Sequence, residues 1–137
     1  MNIPITVETT ISAPLETVWD TWNKPEHIQH WAFASHDWGA KDVENDLKTG
    51  GKFKTHMFDK KSGEGFDFEG VYTNIEENKR IEYTMDDGRK VKIIFEKTPQ
   101  GIKITQTFDP EQENPEEMQR SGWQAILSNF KKYTETL

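Results

Sequence analysis

The sequence contains no cysteine, and this absence excludes several kinds of protein. Without cysteine a chain can form no disulfide framework, no thiolate nucleophile and no cysteine-ligated zinc site. Basic residues are also scarce, with 17 Lys and Arg against 24 Asp and Glu, so the net charge is −7. That balance argues against nucleic-acid binding, whose usual signature is a basic face.

Long hydrophobic runs are missing as well. No apolar segment approaches the ~18–20 residues needed to span a bilayer, so we expect no membrane insertion. Residues 1–4 have neither the charged nor the apolar region typical of a signal peptide. We therefore expect a cytoplasmic location.

Aliphatic side chains are few, but aromatic side chains are numerous. Leu, Ile, Val and Phe together make up 28 of 137 residues, close to the level below which chains often stay disordered. Aromatic residues nevertheless form 12% of the chain, and each ring buries on the order of 150–250 Å². The composition therefore predicts a folded chain, with residues 1–137 forming a single domain.

The first third of the chain alternates between strand and helix patterns. Apolar and polar residues alternate over 5–11, which predicts a strand. Pro14 suits the first turn of a following helix, and Pro25 ends that helix and begins a second short one. Residues 32–50 show no clear period, and we expect a loop there with a short strand near residues 42–47.

The remainder predicts a run of antiparallel hairpins followed by one long helix. Asp87-Gly88 is the strongest hairpin signal in the chain. Apolar residues at helical spacing from Trp123 to Leu137 predict a helix of about 22 residues, roughly 33 Å long. Asn114 as N-cap, Pro115 at the first position and Glu117 in a capping box are the expected start.

These elements predict an α+β fold. The sheet has one apolar face and the final helix one apolar stripe, and each is buried most simply against the other. We expect a curved antiparallel sheet of about six or seven strands wrapped around the C-terminal helix, with two short helices after the first strand. A single helix cannot fill such a concave surface, so a hollow remains between them. Gly122, inside the helix, suggests close packing at that point.

The chain resembles the helix-grip superfamily, which includes birch-pollen allergen, polyketide cyclases and lipid-transfer START domains. It is most similar to the subgroup related to the C-terminal domain of the activator of heat-shock protein 90 ATPase. Five segments in order carry this resemblance: SAPLETVWD at 12–20, NKPE at 23–26 leading to Trp31, TGGKF at 49–53, FEGVY at 68–72 and GW at 122–123.

The resemblance implies a hydrophobic cavity between the last helix and the sheet. It also implies a lipid, polyketide, flavonoid or similar apolar small molecule as ligand. The resemblance also implies that the chaperone activators are two-domain proteins with a separate N-terminal domain, and we expect no such domain within these 137 residues. Phe33 and the segment from His36 to Trp38 make the loop after the second helix more aromatic than the usual family pattern.

Aromatic and polar side chains at inward positions form the candidate ligand site. Rings supply large apolar walls, and a few polar groups fix the orientation of a ligand. We expect Trp31, Phe33 and Trp38 near the cavity mouth, and Tyr72 among the polar inward residues. The candidate ligand-binding residues are Trp31, Phe33, Trp38, Phe53, Thr55, Phe68, Tyr83, Gln106, Trp123 and Leu127. Either these rings line an open pocket or they fill the hollow themselves.

Other functions remain as alternatives to simple binding of a hydrophobic molecule. A cyclase or hydrolase is the first, although no nucleophile elbow is present and we assign no catalytic residue and no cofactor. A chaperone-interacting protein is the second, and the acidic segment 111–117 is a candidate docking surface for a protein partner. His27, His30 and Glu26 share a helix face, but no further ligands at metal-site spacing accompany them, and we expect no metal.

Overall fold

The computed structural model describes residues 3–137, which form seven strands and three helices. Met1 and Asn2, part of the segment assessed for a signal peptide, lie outside the described residues. In chain order the elements are β1 (Ile5–Ile11), α1 (Leu15–Asn23), α2 (Pro25–Ile28), β2 (Trp38–Asn45), β3 (Lys52–Asp59), β4 (Gly65–Glu76), β5 (Arg80–Met85), β6 (Lys90–Thr98), β7 (Gly101–Phe108) and α3 (Glu116–Thr134).

The strands form one antiparallel sheet in the order β1-β7-β6-β5-β4-β3-β2. Strands β2 to β7 follow one another as hairpins, and β1 joins the far side by pairing with β7, Ile5 opposite Phe108. The sheet curls around α3, so the predicted α+β helix-grip architecture is confirmed. Seven strands agree with the expected six or seven.

The core lies between α3 and the inner face of the sheet. Leu127 and Phe130 of α3 are completely buried, as are Ile93 and Ile104 on the central strands. Burying a side chain of this size contributes about 1.5–3 kcal/mol relative to leaving it in water. The predicted helical stripe is confirmed as far as Thr134, whereas Leu137 lies beyond the helix and is exposed.

Side chains of α3 also cover the free edge of β1. Arg120, Gln124 and Lys131 donate to the backbone carbonyls of Thr6, Glu8 and Thr10, respectively. An exposed strand edge is a template for pairing with another chain, and charged side chains commonly block it. This helix therefore stabilises the sheet along its edge as well as through the core.

Two local predictions need correction. Strand β2 begins at Trp38, earlier than the expected residues 42–47, and its alternation is broken by a bulge between Lys41 and Glu44, where Asp42 has a φ of 51°. A bulge adds an unpaired residue, so no regular period is visible in the sequence.

The start of α3 also differs from the prediction. Pro115 occupies the N-cap position and no side chain caps the helix. Asn114 instead bonds to the Glu111 side chain, and the Gln119 amide donates to the carbonyl oxygens of Glu111 and Asn114. Gln119 thus organises the turn before the helix, because its side chain bonds to three backbone groups: the N–H and carbonyl of Glu111 and the carbonyl of Asn114.

Candidate functional site

A cavity of about 500 Å³ lies between α3 and the inner face of the sheet. This volume falls within the ~300–1,000 Å³ typical of pockets for drug-sized ligands. Inward-facing residues of β3, β4 and β5 form one wall, and residues of α3 form the other. The apolar lining includes Trp31, Phe53, Met57, Phe68, Ile81, Met85, Trp123 and Ile126.

The aromatic side chains pack against one another along this wall. The Phe53 ring centroid lies 4.6 Å from that of Tyr83, at an interplanar angle of 71°. Phe68 bridges the two walls, with its centroid 5.8 Å from Phe53 and 6.1 Å from Trp123. Edge-to-face contacts of this kind stabilise aromatic pairs beyond their area of burial. Because a cavity of about 500 Å³ remains beside them, the rings line the hollow without filling it.

Trp31 lies in the wall at the end of the cavity nearest α1 and α2. Its indole Nε1 donates to the carbonyl oxygen of Thr21 at 2.9 Å, and its ring packs between Trp22 and Phe130. The expected position at the cavity mouth is wrong, because this hydrogen bond and the two rings hold Trp31 in the core, where it is buried.

Three polar side chains line the cavity without a hydrogen-bond partner in residues 3–137. Thr55, Tyr83 and Gln106 are each only 6% exposed. Their polar atoms make no side-chain hydrogen bond, yet fully enclosed unpaired atoms in the described residues occur only at Asn23 and Asn78. The Thr55, Tyr83 and Gln106 polar groups therefore face the free space of the cavity.

Tyr72, the fourth polar residue predicted to face inward, has its hydroxyl occupied. It donates to Asn45 Oδ1, and the Asn45 amide nitrogen donates in turn to the Asn23 carbonyl oxygen at 2.6 Å. Burial raises the pKa of Tyr72 well above its ordinary range. Tyr72 is therefore a neutral structural group that ties β4 to β2 and α1.

The mouth of the cavity combines apolar and charged side chains: Phe66, Asp87, Arg89, Glu111 and Met118. Phe66 and Met118 are 52% and 60% exposed although both also line the cavity, and they mark where it reaches the surface. Exposed apolar residues around a concave site commonly belong to a binding surface.

The structure brings together seven of the ten predicted site residues. Trp31, Phe53, Thr55, Phe68, Tyr83, Gln106 and Trp123 line the cavity. The other three, Phe33, Trp38 and Leu127, lie outside its wall. That any of the ten contacts a ligand remains a prediction.

Each of these three has a different packing environment. Leu127 is completely buried in the core, because it follows the cavity-lining Ile126 directly and therefore lies about 100° around the helix from that side chain. Phe33 packs against the edge of the core, with Lys60 Nζ 6.0 Å from its ring centroid. Trp38 begins the edge strand β2, and its ring lies 6.1 Å from Phe66.

Several lining residues were missed, although their sequence positions carry a signal. Met118, Gly122 and Ile126 recur every four residues and so share one side of α3. Met85 alternates with Tyr83 on β5, and Arg89 alternates with Val91 on β6. Met85 is the last residue of β5, and extending the alternation of β6 by one step into the hairpin turn identifies Arg89.

Gly122 is not a site of close packing, contrary to the sequence prediction. A Cβ atom added there meets no heavy atom within 4 Å, and the residue lines the cavity. Absence of a side chain at this position leaves space in the cavity rather than allowing another element to approach.

His27 of α2 and His30, in the turn that follows it, have a structural environment. His27 Nδ1 lies 2.8 Å from the Tyr133 hydroxyl, and the His30 ring stacks on the Tyr133 ring. Within residues 3–137 no group of three His, Cys, Asp or Glu side chains is arranged to hold a metal ion.

None of the helices in the described part of the chain has the length and apolar character needed to cross a membrane.

Comparison with known proteins gives a family match over most of the chain. A family model described as Activator of Hsp90 ATPase homolog 1-like protein matches residues 12–135. No curated protein matches the chain significantly.

Solved structures of bacterial proteins superimpose closely. The AHSA1-like protein from Aeromonas hydrophila is 41% identical, with a TM-score of 0.92, covering 98% of this chain and 93% of its own. A Cytophaga hutchinsonii protein is 52% identical, with a TM-score of 0.83 and coverages of 96% and 92%. A Nitrosomonas europaea protein that is 21% identical, with a TM-score of 0.85 and coverages of 98% and 95%, shares the fold.

Proposed function

Because the chain belongs to the Activator of Hsp90 ATPase homolog 1-like family, we propose that it uses the helix-grip cavity to bind a small hydrophobic molecule. The observation that carries this proposal is the open space of about 500 Å³ between α3 and the sheet. An unfilled apolar space lowers stability, because the side chains around it lose van der Waals contacts. If these rings served only stability, we would expect them to pack together and close the cavity.

The polar groups in the cavity support binding of a ligand with a polar end. Thr55, Tyr83 and Gln106 are buried with their hydrogen-bonding capacity unused by residues 3–137. Leaving a buried polar group unsatisfied costs about 1–3 kcal/mol, so water or a ligand group takes that place. Apolar walls with a few convergent polar groups are typical of small-molecule sites.

The chemistry of these groups favours binding over acid–base catalysis. Burial raises the pKa of Tyr83 far above neutral, so its hydroxyl stays protonated and acts as a donor. All four histidines lie in the described part of the chain, and none of them lines the cavity. The aromatic walls formed by Phe53, Phe68 and Trp123 suit a flat or elongated apolar molecule.

Tryptophan fluorescence gives a direct test, because Trp22, Trp31 and Trp123 line the cavity. Purified protein is titrated with fatty acids, flavonoids and polyketides, and we expect a saturable change with at least one of these classes. Gly122→Leu places a side chain into the cavity and is expected to abolish that change. The control is Ser121→Leu, which adds the same side chain at the exposed neighbouring position. Binding that survives Gly122→Leu unchanged places the ligand elsewhere and contradicts the proposal.

A further inference from the structure

Arg89 brings a positive charge to the apolar cavity. It follows the β5–β6 turn and continues the inward register of Val91 and Ile93 on β6. Its side chain is only 20% exposed and lines the cavity. Among the described residues of the lining it is the only Lys or Arg. Since a guanidinium stays protonated in proteins, this charge is present at every physiological pH.

Four of the five N–H donors of the Arg89 guanidinium have no partner among residues 3–137. Its backbone N–H donates to Asp87 Oδ1 at 3.1 Å, and its Nε donates to Asp87 Oδ2 at 2.8 Å. These bonds hold the guanidinium in place but leave both Nη groups without a partner in residues 3–137. The free Nη edge presents paired N–H donors, the geometry that binds a carboxylate through two parallel hydrogen bonds.

The Tyr83 hydroxyl is a second donor in the same cavity. It is more than nine-tenths buried, faces the cavity and has no partner among the described residues. Tyr83 pairs with Val91, and the Met85 N–H donates to the Arg89 carbonyl oxygen, so Arg89 and Tyr83 are diagonal neighbours on the inner face of the β5–β6 hairpin. Burial raises the pKa of Tyr83 strongly, and the Arg89 guanidinium opposes that shift. A neutral O–H and a cationic N–H fork near one another are complementary to an anion.

Six carboxylates belong to the described lining, and each is engaged or projects from the outer face: Glu44, Asp67, Glu69, Asp86, Asp87 and Glu111. Glu44 pairs with Lys54 at 3.4 Å, and Asp86 bonds to Glu69. Asp87 accepts the two bonds from Arg89, and Glu111 Oε1 accepts from the backbone N–H of Asn114 at 3.1 Å. Asp67 and Glu69 alternate with Phe68 on β4, so their side chains project from the outer face, where Asp67 pairs with His56. The inner face therefore presents the free donors of Arg89 and Tyr83, and Thr55 and Gln106 add neutral groups that can donate or accept.

We propose that the cavity selects amphipathic molecules with an acidic head group, whose carboxylate binds the Arg89 Nη edge and the Tyr83 hydroxyl while the apolar body lies along the aromatic wall. This specificity rests on the proposed function, since it presupposes that a ligand enters the cavity.

Three ligands that share the same alkyl chain and differ in head group distinguish hydrophobic binding from acidic-head specificity: decanoate, 1-decanol and decylamine. Each is titrated calorimetrically below its aggregation concentration. We expect decanoate to bind about tenfold or more tightly than the other two, as for a charge-assisted hydrogen bond. Equal affinities overturn the acidic-head specificity and leave hydrophobic binding intact. Tighter binding of the amine overturns it in favour of recognition by Asp87. Absence of binding by all three contradicts both proposals.

Variants of the protein then identify the residue that binds the carboxylate head group. Arg89→Gln is expected to lower decanoate affinity about tenfold and to leave 1-decanol affinity within about twofold, and Tyr83→Phe is expected to weaken decanoate selectively. The control is Lys90→Gln, which removes the same charge from the adjacent exposed position on the opposite face of β6. A matching loss in Lys90→Gln assigns the effect to net charge and overturns the role of Arg89. The wild-type ligand comparison does not depend on how well any variant folds.

Discussion

Trp123 of α3 lies face to face with Phe108, with ring centroids 3.9 Å apart and planes 8° from parallel. Phe108 ends β7 and is completely buried, whereas Trp123 also lines the cavity. One contact thus joins the wall of the site to the core of the fold. Changes on the ligand side of α3 are therefore expected to affect stability as well as binding.

Replacing Trp123 by alanine is expected to destabilise the protein by about 2–4 kcal/mol, because the helix loses its contact with the end of β7. Urea denaturation measures the change. A double-mutant cycle with Phe108→Leu isolates the ring contact, for which we expect a coupling of about 0.5–1.5 kcal/mol. Trp38→Ala, on the edge strand, is the control and is expected to cost less. A Trp123→Ala loss no larger than that of Trp38→Ala contradicts a structural role for the stack.

Gly122→Ala is expected to stabilise the protein by about 0.5–1 kcal/mol. Alanine favours helix over glycine by about that amount, and the added Cβ meets no atom within 4 Å. Thermal or urea unfolding measures the effect, with Ser121→Ala as the control for propensity at an exposed neighbouring position. Destabilisation by Gly122→Ala restores the close-packing interpretation of the sequence and indicates a smaller cavity.

The sequence predicts most of this fold because the spacing of its apolar residues differs clearly between strands, where it is two, and helices, where it is three or four. Alternation around Phe53, Phe68 and Tyr83 places these rings on one face of the sheet, and the structure has them there. The period fails where the backbone departs from regular geometry. The bulge at Asp42 obscures the start of β2 in the sequence pattern. At the start of α3, where the sequence predicts a capping box, the Gln119 side chain instead bonds to the turn before the helix.

The cavity itself is harder to predict, because volume depends on how far two elements stand apart. Helical spacing groups Leu127 with Trp123 in one stripe, but a stripe wider than the cavity includes residues that face the packed core. The same limit applies to Gly122. A glycine within a helix is compatible both with close packing against a neighbouring element and with empty space beside the helix, and the sequence does not distinguish the two. Arg89 carries a signal only once the inward register of β6 is extended into the turn.

Two hydroxyl-bearing residues of the cavity wall are expected to respond differently to removal of their oxygen atoms. Tyr72→Phe breaks the bond to Asn45 and is expected to destabilise the protein by about 1 kcal/mol. Thr55→Val removes a buried hydroxyl with no partner among residues 3–137, so stability is expected to stay within about 0.5 kcal/mol or to rise. Urea denaturation of both variants tests the assignment. Equal losses indicate that the Thr55 hydroxyl is satisfied by a group of the folded chain.

Glu69 lies beside Asp86 on the outer face of the β4–β5 pair, and their proximity gives a pH-dependent prediction. The bond and charge of Asp86, with some desolvation, raise the pKa of Glu69 above its ordinary value of 4.5, and Lys54 opposes this shift. A raised carboxyl pKa means that the folded state binds the proton more tightly than the unfolded state. The Glu69 contribution is therefore favourable below about pH 4.5 and is lost as the pH rises through the folded-state pKa.

Glu69→Gln is consequently expected to raise the midpoint of thermal unfolding near pH 7, where the wild-type pair repels, and to have little effect near pH 3, where Glu69 is protonated in both states. Unfolding curves across this pH range give the measurement. Glu77→Gln is the control, since it removes the same charge from an exposed position in the β4–β5 turn. A stabilisation that is equal in the two variants reflects only the lower net charge. A Glu69→Gln effect that is larger at pH 3 than at pH 7 contradicts the repulsion, because protonation leaves no charge on Glu69 for Asp86 to oppose.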